Sequence, residues 1–309
     1  MKNETVYVAG HQGMLGSALL RRLYKEECTQ IITADIETLD LRNKPAVFDF
    51  FNSNKPAYVF LLAAEVGGIA ETSSRPADFL RNNLEIQTNV IEAARLHSVK
   101  KMLFTASSCV YPSGINRPLQ EKDILSGALD HAVEGYALAK IAGIKMCEFY
   151  RRQYGCDYVS VIPSNLYGPG CSFDPARAHM LPALILKCHE AVKTKARQIT
   201  VWGTGKPRRE FLYVDDCADA LVYVMKNYSG NDPVNIGCGK DYSILEYAEI
   251  ISRTVCGRVL NVQTDPSKPD GAMRKLLDVS FLSGFGWSSS VSIEEGIART
   301  YQSFLSTAV

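Results

Sequence analysis

The 309-residue chain is 46% hydrophobic and 22% charged, with 34 Lys and Arg against 33 Asp and Glu, a formal net charge of +1. That composition excludes the disordered and fibrous classes, and the charge balance supplies no overall field for nucleic acid or an anionic membrane. At roughly 150 residues per domain, the length fits two domains or one large one.

The start, MKNETVYVAGHQGMLG, has no apolar core and cleavage site of the secretory kind, and no apolar run approaches the roughly 18 residues of a membrane span. The nine Cys are scattered and form no CxxC pair, so neither a disulfide framework nor a metal site is expected, and a reducing cytoplasm fits best. In chain order, Thr5–Ala9 reads as a buried strand, Met14–Glu26 as a helix, Gln30–Ala34 as a strand and Lys44–Asn52 as a helix. Tyr58–Ala63 is a strand, Ala77–His97 a long helix, Lys101–Ala106 a strand, Gly135–Tyr154 a helix and Asp157–Pro163 a strand. Strands apolar on both faces and separated by helices predict an α/β Rossmann-type fold, a doubly wound parallel sheet covered on both sides. After Asn165 the segments YGPGCSFDPARAH and VWGTGKPRREF are rich in turn formers, whereas Val214–Lys226 (helix) and Pro233–Ile236 (strand) look like a return to the sheet. The expected division is residues 1–165 and 211–236 for a dinucleotide-binding domain, and 166–210 and 237–309 for a smaller, discontinuous substrate domain.

Three features carry chemistry. Gly10, Gly13 and Gly16 lie between the first strand and first helix, where glycines permit a tight turn and close approach of a pyrophosphate to the helix N-terminus. Asp35, 19 positions beyond Gly16, is placed to hold ribose hydroxyls and to repel a 2′-phosphate, which favours NAD(H); the alternative is a turn-forming Asp facing solvent. Tyr136 and Lys140 share one helix face, where an ammonium is expected to lower the phenol pKa and fit it for proton transfer to a ketone oxygen. Such a pair also occurs on ordinary solvated helices. Ser107 or Ser108, at the end of the strand Lys101–Ala106, could bond the same oxygen. Helix Gly135–Tyr154 is apolar around most of its circumference, which points to a second copy of the chain packing on it.

The glycine loop, SSCVYP with YALAK, and PSNLYGP resemble the extended short-chain dehydrogenase/reductases. With VGGI, HMLPALI, VWGTGKPRREF and SKPDG…RKLLD, the likeness narrows to the GDP-L-fucose synthase family and covers nearly the whole chain. The resemblance implies 3,5-epimerisation and NAD(P)H-dependent 4-keto reduction of a GDP-4-keto-6-deoxy sugar, with NADP(H) as the cofactor. It implies Cys109 and His179 as the acid/base pair of epimerisation, although a Cys at a strand end or a lone His is by itself more often structural. Tyr136 is then the proton donor, with Lys140 and Ser107 beside it. For the dinucleotide it implies Gly10, Gln12, Gly13, Met14, Leu15, Gly16, Asp35, Asp40 and Leu41. Further along the chain, Ala63, Ala64, Tyr136, Lys140, Pro163, Asn165, Leu166 and His179 complete that set. For the substrate it implies Ser107, Ser108, Cys109, Asn165, Lys187, Trp202, Arg209 and Asp270, and for the dimer the helices Ala77–His97 and Gly135–Tyr154. The alternative for Arg208 and Arg209 is a surface loop, with one of the two serving that way. Three departures from the family pattern stand out: Thr33-Ala34-Asp35 and Gln12 in places usually basic or hydroxyl-bearing, Gly170-Cys171-Ser172 in the sugar loop, and a short Asn227–Asp232 connection. A related GDP-4-keto-dideoxy-hexose or heptose as substrate, or a non-catalytic nucleotide-binding protein, are the competing readings.

Overall fold

The computed structural model describes residues 1–174, 178–268 and 270–307. Its central sheet begins with β1 (Val6–Ala9), β2 (Ile31–Ile32), β3 (Tyr58–Leu61), β4 (Lys101–Thr105) and β5 (Tyr158–Pro163). The chain continues through β6 (Asn165–Tyr167), β7 (Gln198–Trp202), β8 (Arg208–Arg209), β9 (Phe211–Tyr213) and β10 (Val234–Ile236). Last come β11 (Tyr242–Ser243), β12 (Asn261–Asp265) and β13 (Arg274–Lys275). The six-stranded sheet has the order β10-β5-β4-β3-β1-β2 and is parallel throughout, as the alternation of strands and helices predicts. Strand order reverses between β1 and β3, so a crevice opens beyond their carboxyl ends, where such sheets receive ligands.

Period-two alternation sends successive side chains to opposite faces, and each face finds a helical layer. Tyr7, Val59, Leu61, Met102 and Phe104 pack beneath α2 (Lys44–Asn54), α4 (Pro76–Leu96) and α5 (Glu134–Tyr154). Between α2 and α4 runs the short α3 (Ile69–Ser74), and the short α9 (Ser280–Gly284) follows β13. Val6, Val8, Phe60 and Leu103 face the other way, against α1 (Met14–Lys25) and α7 (Val214–Asn227). A third core is built by α6 (Met180–Thr194), α8 (Ile244–Cys256) and α10 (Ile293–Thr307) around β7 and β9, with Ile185, Val201, Phe211, Tyr247 and Ile297 at its centre.

β2 and β3 are each shorter by two residues or more than the sequence predicts, and the other sheet strands by one. β2 pairs only through Ile31 and Ile32, both half-buried at the sheet edge. β3 leaves the ladder after Leu61 because the Leu62 and Ala63 N–H groups both donate to the Ala9 carbonyl, which bends the chain around Gly10. Helix α5 is set by a close approach: a Cβ on Gly135 would lie 2.3 Å from the Pro76 carbonyl oxygen at the start of α4. The buried Gln87 amide then donates to the Ala139 carbonyl at 2.7 Å, locking α4 to α5 one turn beyond Tyr136.

Candidate active site

At the first strand–helix turn, Gly10 has φ +90°, and a Cβ there would lie 2.7 Å from the Ala63 nitrogen. A Cβ on Gly16 would fall 2.1 Å from the Gly10 oxygen. The turn therefore accepts no side chain at either place. Gly13 caps α1 without a side-chain bond and the first turn holds no acidic residue, which leaves the N–H groups of Met14, Leu15 and Gly16 to meet an anion. Gly170, at φ +87°, approaches the Met14 Cα, so the loop after β6 lies over this helix end. These features fit a dinucleotide pyrophosphate. Ala64 follows Ala63 past β3, Pro163 ends β5, and Asn165 and Leu166 open β6.

Asp35 and Asp40 both have partners. The Asp35 Oδ1 accepts from the Gln12 amide at 2.7 Å and lies 3.1 Å from His11 Nε2. Asp40 is paired with Arg42 through both carboxylate oxygens, which holds its carboxyl below the usual range, and Leu41 is buried beside it.

Beyond β4 the chain turns sharply. Ser107 caps the single turn Ser108–Val110 by accepting the Cys109 N–H at 3.5 Å, and Ser108 and Cys109 are buried. Lys140 is also buried, donates to the Thr105 carbonyl at 2.9 Å, and sits over the rings of Phe104 and Tyr136 at 4.9 and 5.8 Å. The expected lowering of the Tyr136 pKa is not met. Burial pushes the phenol well above its ordinary value and the nearby Cys109 adds to this, with only the Ser107 hydroxyl opposing. The Lys140 ammonium is itself pushed down to about 8 by burial. Desolvation thus dominates at both groups. A phenol that stays protonated is nevertheless what proton donation requires.

Burial raises the Cys109 thiol, while Lys275, Ser107 and Lys140 pull it down. Lys275 was assigned no role from sequence. Its strand β13 pairs in parallel with β8, in the register Arg274↔Arg208 and Lys275↔Arg209, which sets two cations side by side. Burial holds both Lys275 and Arg209 below their usual ranges, and Asp130, likewise missed, offsets this at each of them. Ser107, Cys109, Tyr136, Lys140, Lys275 and Arg209 therefore form one electrostatically connected group.

Among the described residues, no hydrogen bond or ion pair links His179 to this group. It caps α6 without a side-chain bond, and the surrounding protein holds its pKa below the usual histidine value although the residue keeps solvent access. Trp202 is 67% exposed, with the ammoniums of Lys187 and Lys268 at 5.9 and 5.7 Å from its ring. Lys187 also donates to the Thr200 carbonyl. Asp270 differs from a free ligand contact: its two oxygens accept the Thr204 N–H at 2.8 Å and hydroxyl at 2.7 Å. Arg208, with a side chain 39% exposed, is paired with Asp241 and Glu246.

Next along the chain from Arg209 is Glu210, which is 1% exposed and whose backbone N–H donates to the Lys275 carbonyl. Its two oxygens accept the N–H groups of Gly239 at 2.7 Å and Leu277 at 2.9 Å, and burial pushes its carboxyl up to about 7. Because the folded protein then binds this proton more readily than the unfolded chain, the stability it supports falls as pH rises from about 4.5 to about 7. The full effect is on the order of 3 kcal/mol. Urea unfolding at pH 5 and pH 8 should show wild type losing more stability than Glu210→Gln over that interval, by roughly this amount. Equal losses in the two proteins would remove the proton from Glu210.

A family model for the NAD dependent epimerase/dehydratase family matches residues 6–237. GDP-L-fucose synthase 1 of Arabidopsis thaliana is 46% identical over 304 residues, spanning 98% of this chain and 94% of the relative. GDP-L-fucose synthase of Escherichia coli is 45% identical over 314 residues, spanning 99% and 98%. Among solved structures, the GDP-mannoheptose C4 reductase from Campylobacter jejuni with NADP bound is 35% identical, with a TM-score of 0.90 over 99% of each chain. The glycine cradle, the parallel sheet and the serine–tyrosine–lysine centre thus agree with full-length sequence likeness: the chain belongs to the NAD dependent epimerase/dehydratase family and, within it, to the GDP-L-fucose synthase family.

Proposed function

We propose that the protein converts GDP-4-keto-6-deoxy-D-mannose to GDP-L-fucose by 3,5-epimerisation and 4-keto reduction with a reduced nicotinamide dinucleotide. The observation that carries this reading is the clustering of a thiol, a phenol, a hydroxyl and an ammonium at the carboxyl end of β4, beside a pyrophosphate cradle. A 4-keto group acidifies the protons on C3 and C5, so each can be removed to an enolate and replaced on the opposite face. Cys109 and His179 carry those protons, one as base and the other as acid. When bound, the dinucleotide supplies the hydride for C4. Tyr136 gives its phenolic proton to the C4 oxygen, Ser107 donates a hydrogen bond to it, and Lys140 fixes the phenol and steadies the negative charge left there.

In this reading residues 1–165 and 211–236 hold the dinucleotide, and 166–210 and 237–309 the sugar nucleotide. Gly10, Gly13, Met14, Leu15, Gly16, Ala63 and Ala64 take the pyrophosphate side, with Pro163, Asn165 and Leu166 beside the nicotinamide. Arg209 takes the substrate diphosphate with bidentate hydrogen bonds, and Lys275 adds a second cation. Trp202 offers a flat face to the guanine, with Lys187 at its edge; Ser108, Asn165 and Asp270 complete the substrate site. Two copies pair through α4 and α5, whose Leu96, Leu138, Phe149 and Tyr154 are exposed on one subunit. No described helix is long and apolar enough to cross a membrane.

Incubation with the keto-sugar and a reduced dinucleotide in deuterated water tests the reading. Oxidation of the dinucleotide with deuterium at C3 and C5 of a GDP-L-fucose product is expected. Oxidation without exchange would leave only a reductase, no oxidation would leave a binding protein, and turnover of a heptose or dideoxy-hexose alone would move the substrate assignment.

A further inference from the structure

The pyrophosphate cradle fits a nicotinamide dinucleotide, but the turn beside it does not fit a 2′-phosphate. We infer that Asp35, oriented by Gln12 and His11, selects NADH over NADPH; this rests on the proposed use of a reduced dinucleotide. β2 pairs with β1 in the register Val6↔Ile31 and Tyr7↔Ile32, which carries Asp35, three residues past β2, to the glycine loop after β1. There the loop itself holds the carboxylate: Gln12 Nε2 donates to Oδ1 at 2.7 Å, and His11 Nε2 is 3.1 Å from the same oxygen. An ionised carboxylate only accepts, so the Gln12 amide is the donor that orients it, with the His11 ring in contact beside it. Oδ2 has no hydrogen bond among the described residues and the Asp35 side chain is 46% exposed. The site is therefore an oriented, half-open acceptor at the position where a ribose diol is held in dinucleotide folds.

The turn also lacks the cation that a 2′-phosphate needs. Ile36, the next residue, is 61% exposed and apolar. The nearest basic residue along the chain, Arg42, is occupied by Asp40 through its Nε and Nη2. Lys44 lies over the Phe48 ring. A dianionic phosphate would meet the Asp35 carboxylate with no described Arg or Lys paired to either, whereas a 2′-hydroxyl would donate to it. The Gln12 amide ties the two elements together, so the selection belongs to the pair and not to Asp35 alone.

The test is a binding titration of the full chain with NADH and with NADPH, in the absence of sugar, followed by nicotinamide fluorescence. Wild type should bind NADH at least about tenfold more tightly than NADPH, the scale of one lost charge-assisted hydrogen bond. Asp35→Ser should bring the two dissociation constants close together, and Gln12→Arg with Asp35→Ser should invert their order. Thermal melts of the variants establish that each remains folded. Wild type binding NADPH as tightly as NADH, or Asp35→Ser leaving the ratio unchanged, overturns the inference. Tight NADH binding without turnover of the keto-sugar leaves the inference standing and removes the proposed reaction; binding of neither dinucleotide removes both.

Discussion

Tyr136→Phe is expected to lower kcat for reduction of the keto-sugar by about 10²–10⁴-fold, the usual share of a general acid, while dinucleotide binding is unchanged. Phe keeps the ring over which the Lys140 ammonium sits, so the variant removes one oxygen and little packing. The size of the loss follows from where the phenol lies. Its proton is retained because burial disfavours the phenolate, and it becomes mobile only when negative charge develops on an oxygen beside it. Steady-state kinetics, with a dinucleotide titration as control, check the result. A variant that keeps most of the wild-type kcat takes Tyr136 out of the reaction.

Cys109→Ala should abolish wash-in of solvent deuterium at C3 and C5, lowering the exchange rate by about 10²–10⁴-fold. The substitution trims a sulfur in a buried turn and leaves the Ser107 cap on the residue-109 N–H in place. Hydride transfer to C4 does not need the thiol, so a slow reduction should persist, giving a product epimeric with that of wild type. NMR of the reaction mixture reads both quantities at once. Exchange at the wild-type rate would mean that another group carries these protons. The electrostatics favour the thiol: burial keeps it protonated at rest, but Lys275 and Lys140 both stabilise a thiolate, so the two forms lie closer than burial alone would allow.

Much of this architecture is legible in the sequence, and the reasons are physical. β1, β3, β4 and β5 are short apolar runs flanked by helical periodicity, and buried parallel strands leave that signature. The glycine loop is readable because its three glycines fall between the first strand and the first helix, although any strand–helix turn can contain glycine. Ser107, Tyr136 and Lys140 are readable from order and spacing. The direction of the Tyr136 shift is not, because spacing gives proximity while burial comes only with the packed sheet. Lys275 and Asp130 are invisible for another reason. β8 and β13 are two residues each and pair across more than 60 positions, so no local pattern sets Lys275 beside Arg209. Glu210 is hidden within PRREF, where charge alone reads as surface. Asp35 is readable as an acidic residue after the second strand, but its attachment to Gln12 depends on a loop geometry that no periodicity encodes.

The tightness of the glycine turn has an evolutionary consequence. With a backbone atom 2.1–2.7 Å from any Cβ added at Gly16 or Gly10, those positions are closed to drift, and with them the anchoring of the coenzyme's shared core. The turn at Asp35 and Ile36, by contrast, is open to solvent and far along the chain from Ser107, Tyr136 and Lys140. On the selection inferred for Asp35, a lineage can exchange one reducing coenzyme for the other through substitutions at that rim, without disturbing the carbon chemistry it inherits.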